Sequence, residues 1–102
     1  MNSKDLFEEF RKRECLYDVL IETHYSGLIP FIKIISCESA CCDHRTYIEV
    51  HADDVVDFNG FRCSVENLEL LTKAINMLVT ETWGIKVNKN RVLRGGNNDR
   101  ST

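Results

Sequence analysis

No apolar run in this chain of 102 residues approaches the ~20 residues that a membrane span requires. The longest candidate, GLIPFIKII, is interrupted by Pro30 and Lys33. The N-terminus lacks the pattern of a secretory signal, because MNSKDLFEEF is polar and acidic where such a signal is basic and then continuously apolar. There is no internal repeat and no low-complexity stretch ahead of the last few residues. The one cysteine cluster has no second pair to complement it. Gly95-Gly96 precedes no helical pattern, so the chain has no phosphate-cradling loop. Asp53, Asp54 and Asp57 lack the glycine and terminal glutamate of a calcium loop. What remains is a soluble protein, expected in the cytoplasm.

An apolar share of 43% and a charged share of 28% are those of an ordinary globular domain. The length suits one core, giving a single α+β domain over residues 1–94 and a flexible tail, RGGNNDRST, from about residue 95 to 102. The net charge of −3 conceals an asymmetry. Residues 1–83 carry fifteen acids against eight bases, whereas residues 84–102 carry Lys86, Lys89, Arg91, Arg94 and Arg100 against Asp99 alone. The body is acidic and the tail basic.

Periodicity sets the order of elements. Asn2 or Ser3 can cap a short helix through KDLFEEFRKR, with Asp5 and Glu8 early, three bases late, and Leu6, Phe7 and Phe10 as its stripe. CLYDVLIET, IPFIKIISC and RTYIEVH alternate and are rich in β-branched and aromatic residues, which argues for the first three strands of an antiparallel meander of about four. Asn59-Gly60 within DVVDFNGFRCS predicts a two-residue hairpin, setting Phe58 against Phe61, Asp57 against Arg62 and Val56 against Cys63. Ser64 is placed to cap a long helix through VENLELLTKAINMLVTETW, striped by Leu68, Leu71, Ile75 and Leu78 and closed by Gly84. IKVNKNRVL is a candidate for one more edge strand.

Three cysteines and two histidines fall between Cys37 and His51 in CESACCDHRTYIEVH. Cys37, Cys41, Cys42 and His44 are four candidate zinc ligands, with His51 and Cys63 in reserve, but adjacent cysteines converge poorly on one ion and the second knuckle is missing. A disulfide from Cys37 to Cys41 or Cys42 is conceivable, yet a reducing compartment argues against it. Cys42-Asp43-His44 has the residue types of a thiol nucleophile without any evidence of geometry. The spacing favours free thiols near a turn, no metal and no cofactor.

The strand alternation carries more information. A second sheet face bearing Leu16, Leu20, Phe31, Ile35 and Tyr47 is too apolar to stand in water. The long helix can cover one face only, and the first helix is too short for the whole of the other. A second copy or a protein partner is expected over that face or over an edge strand. The alternative is closure within the monomer by the first helix and the C-terminal segment. No residue pair is set for proton or nucleophile chemistry, so catalysis is not expected and no small-molecule substrate is evident. The expected function is that of an inhibitor, immunity or adaptor-type protein, its partner contacts drawn from Phe31, Ile35, Tyr47, Glu49, Asp53, Asp54 and Asp57. The other reading is nucleic-acid binding through Lys86, Lys89, Arg91 and Arg94 with Phe31, Lys33 and Tyr47, weakened by the acidic body.

Overall fold

The computed structural model describes residues 2–25, 29–52 and 56–84. Helix α1 (Ser3–Glu14) begins where the Asn2 side chain accepts a hydrogen bond from the Asp5 amide at 3.0 Å. It ends at Cys15, whose left-handed φ of 58° turns the chain into the sheet. Arg11, Lys12 and Arg13 occupy the last turn, where the helix dipole favours cations. Strands β1 (Asp18–His24), β2 (Phe31–Cys37), β3 (Tyr47–His51) and β4 (Val56–Asn59) form an antiparallel meander in that spatial order. A 3₁₀ turn (Val65–Asn67) leads into α2 (Leu68–Trp83). Gly84, at a φ of 68°, closes that helix with its N–H on the Thr80 carbonyl, the left-handed ending expected of glycine. The fold is the expected α+β arrangement.

The register assigns the two faces. Ile34 lies between Ile21 and Ile48, and Ile32 between Thr23 and Val50. Ile48 faces Phe58 and Val50 faces Val56. Ile32, Ile34, Ile48, Val50 and Val56 join Leu6, Phe7 and Phe10 of α1 and Leu71, Ala74, Ile75, Leu78 and Val79 of α2 in one core. Both helices therefore roof the same face. Of the expected alternative, closure of the other face by the first helix and the C-terminal segment, the helix part does not hold, because its stripe is engaged by α2 and the core, and the segment lies outside the described residues.

The helices run antiparallel and are fastened at both ends by a carboxylate. At one end Glu81 accepts from the Ser3 amide at 2.8 Å and from the Ser3 hydroxyl. At the other, one oxygen of Glu14 accepts from the Ser64 amide at 3.0 Å and from Asn67 Nδ2 at 2.6 Å. This corrects the expected cap. Neither Ser64 nor Asn67 caps α2 with its own side chain. The end of α1 supplies the acceptor instead.

The expected hairpin is also corrected. Gly60 has a φ of 75°, but Asn59 is not left-handed, so a type I′ turn cannot form. Residues 61–64 make no strand, and Arg62 and Cys63 pair with nothing in a ladder. Phe61 turns inward instead, where its ring stacks on Phe10 at 6.0 Å and meets Phe58 edge-on at 6.4 Å. Core burial outweighs the local turn preference. The candidate strand IKVNKNRVL and the tail 95–102 lie outside the described residues.

Candidate functional site

The face opposite the helices is built from the alternate positions of the same strands. Across it run three rows in register. His24, Phe31 and His51 form the first, Glu22, Lys33, Glu49 and Asp57 the second, and Leu20, Ile35 and Tyr47 the third. The strand period of two, with the cross-strand pairing, is what brings these side chains together. Phe31, Ile35, Tyr47, Glu49 and Asp57 from the expected contact set share this face. Asp53 and Asp54 lie outside the described residues.

The first row is a continuous stack. The Phe31 ring lies 4.8 Å from the His24 ring and 5.4 Å from the His51 ring. His24 Nε2 also meets Glu22 Oε1 at 3.1 Å. His51 Nε2 lies 3.2 Å from Glu49 Oε1 and 3.6 Å from Asp57 Oδ2. In the second row Lys33 sits between Glu22 and Glu49, yet its ammonium lies over the Tyr47 ring, 4.3 Å from the centroid. That cation–π placement leaves the carboxylates around His51 without the lysine as partner.

The apolar third row is smaller than the alternation suggests, which is a further correction. Leu16 precedes β1 and packs on the helix-side core, not on this face. Ile35 is fully buried although no helix covers it. It is flanked by Leu20 and Tyr47 and shares its face with Cys37, two residues along the strand. Cys37 and Cys42 are joined in a disulfide that ties the connection 38–46 back. His44, at a φ of 59°, reaches to 3.9 Å from Glu22 on β1. Leu20, Phe31 and Tyr47 remain half-buried.

The disulfide also overturns the reading of the cysteine cluster as free thiols. With Cys37 and Cys42 bonded, the four-ligand set Cys37, Cys41, Cys42 and His44 loses half its donors. Cys15 and Cys41 are exposed free thiols and Cys63 is half-buried. Burial, with the nearby Glu14 carboxylate, pushes the Cys63 thiol up to about 11, which makes it a poor nucleophile.

Large apolar side chains that do face solvent lie elsewhere, three of them on or beside β1. Tyr17 is 60% exposed, Tyr25 70% and Ile21 39%. Ile21 lies on the helix side of β1, and Tyr17 and Tyr25 stand just beyond its two ends, along a strand that pairs on one edge only. Sequence alternation alone could not separate them from core residues such as Val19, because only the position of the roof does so. All three histidines of the chain, by contrast, reach the helix-free face. The signal for His24 and His51 was their even offset from Glu22 and Glu49 on their own strands, and the register then sets both beside Phe31.

No family model, curated protein or solved structure matches this chain. No described helix is long and apolar enough to cross a membrane. Of the alternative nucleic-acid set, Lys86, Lys89, Arg91 and Arg94 lie outside the described residues. Phe31, Lys33 and Tyr47 do share one face, but the neighbours of Lys33 in its row are Glu22 and Glu49, which repel phosphate.

Proposed function

We propose that this chain is a small, non-catalytic protein-binding domain, of inhibitor, immunity or adaptor type, that docks a partner on its helix-free sheet face. The observation that carries this reading is the register. It gathers the half-buried aromatic rings of Phe31 and Tyr47 with the carboxylates of Glu22, Glu49 and Asp57 on a surface neither helix covers. Aromatic side chains supply buried area at low entropic cost, and the surrounding acids steer a basic partner and set its orientation. The partner is a protein with a basic rim around an apolar centre. The Cys37–Cys42 bridge favours an oxidising setting over the reducing cytoplasm expected from composition.

One further observation favours a second reading, self-association through β1. Tyr17, Ile21 and Tyr25 line an edge strand whose outer backbone groups have no strand partner among the described residues. Such an edge invites pairing with another strand.

A photo-crosslinking amino acid placed singly at Tyr47, Ile21 or Lys73 separates the two. Docking on the helix-free face predicts a discrete heteromeric adduct at position 47, suppressed by Glu49→Lys with Asp57→Lys. Edge pairing predicts an adduct of twice the chain mass at position 21. Position 73, exposed on α2, serves as the control. Equal labelling at 47 and 73, or labelling at 47 indifferent to charge reversal, defeats the docking reading.

A further inference from the structure

We propose that Glu49, His51 and Asp57 form a binding site for a divalent cation of the zinc class, with coordination positions left open toward solvent. The inference goes beyond the protein-binding reading and does not depend on it.

The three side chains converge because of strand geometry. Glu49 and His51 are two residues apart on β3 and so share a face, and Asp57 on β4 stands directly across from Glu49. One ligand atom from each lies within 4.8 Å of the others. Zinc bonds to imidazole nitrogen and carboxylate oxygen are about 2.0–2.2 Å, so neighbouring ligands of a tetrahedron stand about 3.3–3.5 Å apart. The observed separations from His51 Nε2 are 3.2 and 3.6 Å. Those are ligand-to-ligand edges of the right length before any ion is added.

Hydrogen bonding does not account for the arrangement as well. A single ring nitrogen carries one proton and can donate to one carboxylate. The 3.2 Å contact with Glu49 is a hydrogen bond, whereas 3.6 Å to Asp57 is too long to be one. Meanwhile two carboxylates stand opposite each other across the ladder, a like-charge pairing that weakens a sheet. The nearest cation in the row, Lys33, is engaged over Tyr47 and forms no ion pair among the described residues. A divalent ion at this point relieves the repulsion and uses all three groups.

The plane of the ring is also set by packing. Phe31 stacks against one face of His51, fixing the plane that directs Nε2 at the carboxylates. One imidazole with two carboxylates suits zinc and its first-row neighbours over calcium, which takes six to eight oxygens. The side chains of His51 and Glu49 are about a quarter exposed and that of Asp57 rather more. A fourth position is thus accessible to water or to a side chain of a bound protein.

The test uses the full chain in its oxidised form, titrated with zinc ion while the imidazole resonances of His24, His44 and His51 are followed by NMR. The proposal expects one equivalent to shift His51 saturably, with far smaller changes at His24 and His44. Asp57→Asn and His51→Ala should each weaken binding by about tenfold or more, and His44→Ala should leave it unchanged. Far-UV circular dichroism confirms that each variant is folded, and the near-isosteric Asp57→Asn guards against a folding defect in His51→Ala. Calcium ion at the same concentrations should give no saturable shift. The proposal is overturned if His51 does not respond to millimolar zinc, or if affinity is indifferent to Asp57→Asn and His51→Ala. That second result would mark an adventitious ion only, held by Cys15, Cys41 or another surface group.

Discussion

Glu14 is the residue whose removal should cost this small domain most for a single surface carboxylate. It sits at the end of α1, and its one oxygen accepts from the Ser64 amide at 3.0 Å and from Asn67 Nδ2 at 2.6 Å. Hydrogen bonds to a charged acceptor contribute about 1.5–3 kcal/mol each where water is excluded. Glu14 is only partly buried, so competition from solvent reduces the pair to about 1–2 kcal/mol in total. For a chain of this size each kcal/mol moves the melting temperature by about 4–8 °C. Glu14→Ala should therefore lower Tm at neutral pH by about 5–15 °C, and Glu14→Gln by less, since its amide oxygen still accepts.

The pH dependence follows from the same contacts. Burial pushes the Glu14 carboxyl up, but the hydrogen bonds from Asn67 and Ser64 together outweigh it and hold the group below its ordinary value of 4.5. A depressed folded value means that the stabilisation is complete above the ordinary value and disappears as pH falls through the folded one. Glu81, held down by the Ser3 hydroxyl and amide, and Glu8, held down by Arg11, act in the same direction. Thermal unfolding followed by circular dichroism should thus show a gap between wild type and Glu14→Ala that is constant at neutral pH and narrows in acid. An unchanged Tm at pH 7, or a gap undiminished at about pH 2, would refute the clamp.

Two other expectations follow. Replacing Cys42 with Ser opens a loop of about six residues, whose closure entropy corresponds to about 2 kcal/mol; Tm should fall by roughly 8–16 °C, and Ile35 and Tyr47 amides should exchange faster by hydrogen–deuterium mass spectrometry. Cys63 should react with iodoacetamide at pH 8 about tenfold or more slowly than the exposed Cys15 and Cys41, and Glu14→Ala should speed it, because burial and the Glu14 charge both hold its thiol protonated.

Much of the architecture was legible from local signals. The cap at Asn2, the alternation of the first three strands, and the glycine that ends α2 each depend on a few adjacent residues, and each is found in the fold. The failures share a cause. Asn59-Gly60 carries the residues of a tight hairpin, but Phe61 gains more by stacking on Phe10 than by facing Phe58 in a ladder. Ser64 has the chemistry of a cap, and Glu14, fifty residues earlier in the chain, takes that role through tertiary contact. The candidate site was half visible: Phe31, Ile35, Tyr47, Glu49 and Asp57 were placed on one surface by period and charge. His51 and His24 were left out of the contact set, since only the register shows that they flank Phe31. Leu16 and Ile35 were misread as open surface because alternation alone does not reveal which side chains the tertiary packing will bury.

The docking and metal-site proposals both depend on Phe31, Tyr47, Glu49, His51 and Asp57 sharing a face that neither helix touches. Proton–proton NOE spectra of the full chain test this directly. The account predicts contacts from the Phe31 ring to the rings of His24 and His51, and from Tyr47 to the Lys33 side chain, with none from Phe31 or Tyr47 to Leu71, Ile75 or Leu78. Contacts from either ring to those three residues of α2 would invert the faces and contradict it.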